Sequence, residues 1–118
     1  MGGQRRVLVV DDDPAHLYSI GRRLEAAGLA VLQAATGEQA LALAPEADAV
    51  ILDVHLPDMT GFEVCSRLRA LPALVDLPII HISAAYVADA DLVQGFSSGA
   101  DAYLTRPVDD DVVVHGAG

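Results

Sequence analysis

The stretch VLVVDDDP, residues 7–14, decides the fold. Its first four residues are apolar, and three of them are valines. A short run that is apolar at every position is typical of a strand buried on both faces of a parallel sheet. Three aspartates follow the run. Asp13 and Pro14 predict the start of a helix, because Asp caps a first turn and Pro fits the first helical position.

Outward from this stretch, helix-like and strand-like segments alternate. Leu17, Ile20, Leu24 and Ala27 recur at helical spacing, and Gly28 predicts the end of that helix. Further strands are predicted at 30–34, 49–52, 77–82 and 102–104, and further helices at 37–43, ended by Pro45, and at 62–71 and 88–97. Repeated strand–helix units of this length predict an α/β fold, with a parallel sheet covered on both faces.

The C-terminal segment differs from the rest. A fifth helix is expected after the fifth strand, yet residues 108–118 contain three consecutive valines and end in Gly-Ala-Gly. β-branched residues and glycine are poor helix formers. We therefore expect a short, distorted or missing fifth helix. The chain is predicted to be one domain over 1–118, with its core at 5–107 and a weak or truncated tail at 108–118.

Composition narrows the class of function. The 118 residues are 53% hydrophobic and carry a net charge of −10. That charge argues against binding nucleic acid or an anionic membrane surface, since both need clustered Lys and Arg. Cys65 is the only cysteine, and no apolar run approaches the roughly 20 residues of a membrane span. We expect a cytoplasmic protein without an internal disulfide.

Polar residues follow four of the predicted strands. Asp11 and Asp12 follow the first strand, Asp53 the third, Ser83 the fourth and Arg106 the fifth. Ligands of open parallel sheets bind beyond the carboxyl ends of the strands, so these groups should meet in one cleft. Three carboxylates in one cleft repel one another, and Mg²⁺, which prefers oxygen ligands, would relieve that repulsion. Asp53 is the candidate nucleophile for phosphoryl transfer, with Ser83 and Arg106 on the phosphoryl oxygens.

Residues 7–107 resemble the response-regulator receiver family of two-component signalling, chemotaxis receivers included. The matching stretches are VLVVDD at 7–12, LDVHLPDMTG at 52–61, ISA at 82–84 and GADAYLTRP at 99–107. Each follows its proper strand in the proper order. The resemblance implies a flavodoxin-like, doubly wound, five-stranded parallel sheet of order 2-1-3-4-5.

The resemblance also implies roles for individual residues. Asp53 would be the phosphoacceptor. Asp12 would bind Mg²⁺ directly and Asp11 mostly through water, and the backbone carbonyl of His55 would complete the protein ligands. The implied donor is a phosphohistidine on a histidine kinase or histidine phosphotransfer protein. A receiver is not an enzyme in the ordinary sense, because it assists only its own phosphorylation and dephosphorylation.

Three positions bear on switching and on the lifetime of the phosphoryl group. Ser83 stands where the family has a switch Thr or Ser, and Tyr103 matches the aromatic residue that turns inward. Arg106 replaces the family's Lys. Since a planar guanidinium differs from a compact ammonium, we expect phosphorylation to survive and coupling to the output face to change. Ala85 offers no hydrogen bond to an attacking water, which favours slow hydrolysis.

The histidines, the cysteine and Gly61 have ordinary structural interpretations. His16 and His81 have no partners at ligand spacing in the sequence, which favours surface or satisfied core positions. Cys65 is interpreted as a small packed hydrophobe. Gly61 is interpreted as serving a backbone requirement of its loop.

Two other functions stay open at this point. One is a degenerate receiver that docks a partner without a phosphorylation cycle. The other is an aspartate-based phosphohydrolase of the haloacid dehalogenase type, which ranks last because His55 stands where that family needs a second aspartate. The chain could be part of a larger response regulator or hybrid kinase, and a homodimer is open.

Overall fold

The computed structural model describes residues 4–83 and 99–105, with only the backbone for 83 and 103–105. Within them the strands are β1 (Arg6–Val10), β2 (Ala30–Ala34), β3 (Ala49–Asp53), β4 (Ile79–Ser83) and β5 (Ala102–Thr105). The helices are α1 (Pro14–Ala26), α2 (Gly37–Leu43) and α3 (Gly61–Arg69), and 3₁₀ turns lie at Ala44–Glu46 and Pro72–Leu74. The helix predicted at 88–97 and the fifth helix of the tail lie outside the described residues.

The strands form one parallel sheet in the order β2-β1-β3-β4-β5, which confirms the predicted topology. Val10 of β1 pairs with Leu52 of β3, and Asp53 pairs with Ile82 of β4. Neighbouring strands therefore end at nearly the same level. The residues that follow them share one edge of the sheet.

The core lies on both faces of the sheet, as the apolar runs predict. Leu8, Val10, Val50 and Leu52 pack on one face in a cluster that includes residues of α2 and α3. Alternate residues of the same strands pack on the other face with Ile20 and Leu24 of α1; they include Val7, Val9 and Ile51. Helices on both faces explain why β1 and β3 carry almost no polar residue before their last position.

Local sequence sets most helix ends. Asp13, Thr36 and Thr60 cap the three helices, each accepting a backbone N–H of the first turn. Gly28 follows α1 with a φ of 89°, a left-handed conformation that favours glycine.

One predicted helix is confirmed at both ends, and two other predicted boundaries were wrong by two residues. The helix predicted at 37–43 has those bounds, and a separate 3₁₀ turn at Ala44–Glu46 follows it. α3 ends at Arg69 rather than at 71, ahead of Pro72. β4 begins at Ile79 rather than at 77, because the Leu77 N–H donates to the Leu74 carbonyl and Pro78 has no N–H to donate.

Arg69 connects several elements at the edge of the sheet where β4 and β5 begin, opposite the carboxyl ends of the strands. Its Nε donates to the Gly99 carbonyl at 2.8 Å, and its Nη1 donates to the carbonyls of Leu74 and Leu77. Its Nη2 is 3.0 Å from Asp101 Oδ2, the same oxygen that accepts the N–H of Ile79. The side chain is only 16% exposed. One guanidinium therefore joins the end of α3 to the entries of β4 and β5.

Candidate metal centre

Three aspartates meet beyond the carboxyl ends of β1 and β3. One carboxylate oxygen from each of Asp11, Asp12 and Asp53 lies within 4.8 Å of the other two. The pairing of Val10 with Leu52 explains this, since it puts Asp11 and Asp53 one step beyond a shared rung of the sheet. Asp11 and Asp53 are buried, and Asp12 is exposed.

The chain directly after β1 holds the carboxylate of Asp11. The backbone N–H of Asp13 donates to Asp11 Oδ1 at 2.9 Å, and Asp13 Oδ1 accepts the N–H of Ala15 at 2.9 Å. His16 Nδ1 is 3.3 Å from Asp11 Oδ2. Interpreting His16 from the sequence as a surface or core residue missed this contact. The signal that could have revealed the contact is the position of His16 three residues after the N-cap Asp13, because a side chain at that position of the first turn can reach back toward the cap.

The loop after β3 folds back on the end of that strand. The Gly61 N–H donates to the Val54 carbonyl at 2.7 Å, and His55 and Thr60 form an isolated antiparallel bridge. A Cβ on Gly61 would overlap the carbonyl oxygen of Asp53 and lie 3.1 Å from the Val54 Cα. The backbone requirement at Gly61 is therefore a close approach, which only glycine allows.

The same loop also caps α2. Asp58 Oδ1 accepts the N–H of Gly37 at 2.8 Å, and Asp58 Oδ2 accepts the N–H of Glu38 at 2.9 Å. These two backbone hydrogen bonds lower the pKa of the Asp58 carboxyl from its ordinary value. Nothing in the sequence pointed to this contact, because Asp58 and its partners are about 20 positions apart.

The remaining predicted site residues are described in part or not at all. The backbone N of His55 is 3.4 Å from Asp53 Oδ1. Ser83 ends β4, one position beyond the partner of Asp53, and Tyr103 pairs with His81 in the neighbouring strand. The side chains of Ser83 and Tyr103, like the whole of Arg106, lie outside the part of the chain that the structure describes.

His81 is a core residue, one of the two positions expected for it. It is fully buried, and its ring meets Phe62 edge-on, with centroids 5.1 Å apart. Burial lowers the pKa of His81 to about 4, and the Leu52 carbonyl, 3.4 Å from Nδ1, raises it in part.

The donor set of the aspartate cluster fits a small, hard cation. The ligand atoms are carboxylate oxygens, which Mg²⁺ and Ca²⁺ prefer, rather than thiolates or imidazoles. The exposure of Asp12 also leaves room for the water ligands that Mg²⁺ usually retains. The three carboxylates thus form an acidic cluster whose oxygens could hold such a cation.

The response regulator receiver domain matches residues 7–116. The chain belongs to this family. It is 44% identical over 106 residues to the DNA-binding dual master transcriptional regulator RpaA of Synechocystis, covering 88% of this chain and 44% of that protein. It is 39% identical over 107 residues to the response regulator PleD of Caulobacter vibrioides, covering 89% of this receiver and 23% of PleD.

Solved structures agree with this membership. A CheY-like receiver domain protein of Methanospirillum hungatei superposes with a TM-score of 0.86 at 31% identity, covering 96% of this receiver and 90% of that chain. A response regulator of Burkholderia pseudomallei, solved with a phosphorylated aspartic acid, calcium ion and citrate, gives 0.86 at 28% identity, covering 98% and 67%. The receiver fold and a phosphoacceptor role in two-component signalling follow.

The receiver spans less than half the length of these two curated relatives. Within the described ranges, no helix is both long enough and apolar enough to cross a membrane.

Proposed function

We propose that this receiver takes a phosphoryl group onto Asp53 from a phosphohistidine of a histidine kinase or histidine phosphotransfer protein. The observation that carries the proposal is the meeting of Asp53 with Asp11 and Asp12 within 4.8 Å, at the carboxyl edge of a receiver sheet. A nucleophilic carboxylate needs a partner of opposite charge nearby before it can approach an anionic phosphoryl group.

The chemistry is a displacement at phosphorus. An oxygen of Asp53 forms a bond to phosphorus as the bond from the donor imidazole nitrogen breaks, and the leaving imidazole takes up a proton from solvent water. The product is an acyl phosphate. Asp11, Asp12, Asp53 and the His55 carbonyl would hold Mg²⁺, which neutralises charge on the phosphoryl oxygens when bound.

The relative from Burkholderia pseudomallei supports both parts of the proposal. That protein was solved with a phosphorylated aspartic acid and a calcium ion, a hard cation like Mg²⁺.

We further propose that Ser83 and Arg106 serve the phosphoryl oxygens, and that Ser83 and Tyr103 carry the switch. If Arg106→Lys changes neither phosphorylation nor partner affinity, the proposed role of Arg106 in coupling is wrong.

Residues 5–107 are proposed as the core of a single receiver domain, 1–118. Since RpaA is a DNA-binding regulator much longer than this chain, the output could be transcriptional. Any contact with nucleic acid would then belong to another domain or partner, because the receiver itself carries a net charge of −10. The cytoplasmic location and the homodimer stay predictions.

Mass spectrometry after incubation with acetyl phosphate and MgCl₂ tests the proposal. We expect the mass increase of one phosphoryl group, lost with EDTA and absent in Asp53→Asn. Asp48→Asn is a matched control, because Asp48 lies just before the other end of β3 and accepts the N–H of Arg6. It should be phosphorylated like the wild type.

Two results would reject the proposal. An unmodified wild type, with or without a phosphohistidine donor, would favour the degenerate receiver. Turnover of phosphate esters would favour the phosphohydrolase.

A further inference from the structure

His16 lies beside the aspartate cluster, on the first turn of α1. Its Nδ1 is 3.3 Å from Asp11 Oδ2 and 3.5 Å from Asp13 Oδ2. The His16 ring is 37% exposed, whereas the Asp11 side chain is 1% exposed. A residue open to solvent thus contacts the buried carboxylate of the site.

These two distances favour a donor at Nδ1 of His16. Carboxylate oxygens only accept hydrogen bonds, and a ring nitrogen with a lone pair would be repelled by both of them. The contacts are favourable when Nδ1 carries a proton, because its N–H then faces Asp11 and Asp13. At 3.3 Å the contact is a long polar contact rather than a short hydrogen bond.

The Asp11 carboxylate is consequently held at both oxygens by the segment that follows β1. The Asp13 N–H donates to Oδ1, and His16 faces Oδ2. Two contacts on different oxygens restrict rotation of the carboxylate plane. Each carboxylate oxygen has two lone pairs, so both can still accept from the water of a bound cation.

We propose that His16 is a positioning residue for the divalent cation. It holds Asp11 in the orientation in which the carboxylate faces Asp12 and Asp53. This inference rests on the proposed function, since it concerns the cation that the phosphoacceptor needs. Partners that orient metal-binding groups typically change metal affinity by about 10–100-fold when removed. A long, part-exposed contact should lie near the lower end of that range.

Two substitutions separate the donor from the bulk of the ring. His16→Leu keeps a side chain of comparable size without a donor. His16→Asn places an amide N–H near the position of Nδ1. If the donor matters, the Leu substitution should weaken Mg²⁺ binding about tenfold, and the Asn substitution should stay within about threefold of wild type.

The measurement is the dissociation constant of Mg²⁺, obtained from amide chemical shifts in an NMR titration at fixed pH and ionic strength. Thermal unfolding in EDTA checks that each variant is folded, and His16→Ala replaces His16→Leu should the latter unfold. Phosphorylation by acetyl phosphate gives a second readout. For His16→Leu, the Mg²⁺ concentration for half-maximal rate should rise while the maximal rate at saturating Mg²⁺ stays unchanged.

Several outcomes would overturn the inference while leaving the proposed function intact. They are an unchanged or tighter Mg²⁺ affinity in His16→Leu, an equal loss in both substitutions, or a lower maximal rate at saturating Mg²⁺. A wild type that binds no Mg²⁺ would instead remove the proposed cation, and the inference with it. The two failures are distinguishable, because the second appears in the unaltered protein.

Discussion

The substitution Gly61→Ala tests whether the close packing of α3 on the end of β3 sets the position of the phosphoacceptor. Gly61 is the first residue of α3, and a Cβ built on it overlaps the Asp53 carbonyl oxygen. It also lies 3.1 Å from the Asp53 carbonyl carbon and 3.1 Å from the Val54 Cα. All three atoms are backbone, so no side-chain rotation can relieve the overlap.

The size of the effect follows from this geometry. A carbon approaches a carbonyl oxygen to about 3.3 Å at closest, so the start of α3 or the end of β3 must move by roughly 1 Å. Overpacking of this kind typically costs about 1–3 kcal/mol, and weakening the Gly61–Val54 hydrogen bond adds about 1 kcal/mol. Replacing glycine in a helix returns up to about 1 kcal/mol. We expect a net loss of about 1–4 kcal/mol in the free energy of unfolding.

The same movement should slow phosphorylation. A misplacement of about 1 Å can cost on the order of 100-fold in rate, and here it falls on the residue that carries the nucleophile. We expect the rate with acetyl phosphate at saturating Mg²⁺ to fall by about 10–100-fold.

Gly37→Ala is the matched control. Gly37 is also the first residue of a helix, but the atoms that an added Cβ would meet first are Cγ and Sδ of Met59, at 2.5 and 2.8 Å. Methionine is flexible and can move aside, and Val64 Cγ2, at 3.0 Å, needs to shift by only a few tenths of an ångström, so the loss should be smaller than for Gly61→Ala. Urea unfolding followed by circular dichroism measures both variants. If Gly61→Ala unfolds at the same urea concentration as Gly37→Ala and is phosphorylated at the wild-type rate, the packing argument is wrong.

Three further predictions concern stability. Arg69→Met should lower the free energy of unfolding by about 2–4 kcal/mol, because buried carbonyls lose a charged donor. The control Arg67→Met breaks only an exposed ion pair and should cost under about 1 kcal/mol. Similar losses in the two variants would contradict the linking role of Arg69. The folded pKa of His81 is about 4 against 6.5 unfolded, so the unfolded chain alone gains a proton as the pH falls below 6.5. Between pH 7 and 5 the wild type should therefore lose roughly 2 kcal/mol more than His81→Leu, and parallel pH profiles would reject this. Gly21→Ala should raise the free energy of unfolding by about 0.5–1 kcal/mol, because Gly21 lies in mid-helix and an added Cβ meets nothing closer than 3.6 Å. The thermal unfolding midpoint should rise accordingly, and a lower midpoint would contradict the prediction.

The sheet could be predicted from the sequence because its signals are local. The β2 bounds were predicted without error, and β1 and β3 to within one residue. The apolar runs of β1 and β3 lie between polar residues, and β2 begins two residues after Gly28. The start of β4 could not be predicted, because it depends on whether Leu77 bonds within the preceding turn or to the neighbouring strand. Leu77 is equally apolar in both arrangements, so the sequence pattern does not distinguish them.

The aspartate cluster could be located for a related reason. Parallel strands bring their carboxyl ends to one edge, and the strand order implied by the family resemblance places β1 beside β3, so Asp11 and Asp53 were expected close together. The contacts that hold the cluster in place could not be found in this way. Asp58 reaches the first turn of α2, and Arg69 reaches Gly99, 30 positions away. Such contacts depend on how loops close in three dimensions, and no short-range pattern encodes them.

These contacts divide the receiver into two ends with different tasks. At the carboxyl edge, each acidic strand end is fixed by the junction to the next helix. Asp13 and His16 hold Asp11, while Gly61 closes the loop that follows Asp53 and Asp58 ties that loop to α2. At the opposite edge, Arg69 joins elements that carry none of the three clustered aspartates.

Substitutions at the two edges should therefore separate stability from function. Loss of the His16 contact should change Mg²⁺ affinity with little change in stability, because the ring is part-exposed and has no role in the core. Loss of the Arg69 contacts should lower stability while leaving the Mg²⁺ affinity of the folded protein unchanged. Gly61 alone should affect both, since it lies where the packing of α3 and the position of Asp53 depend on the same atoms.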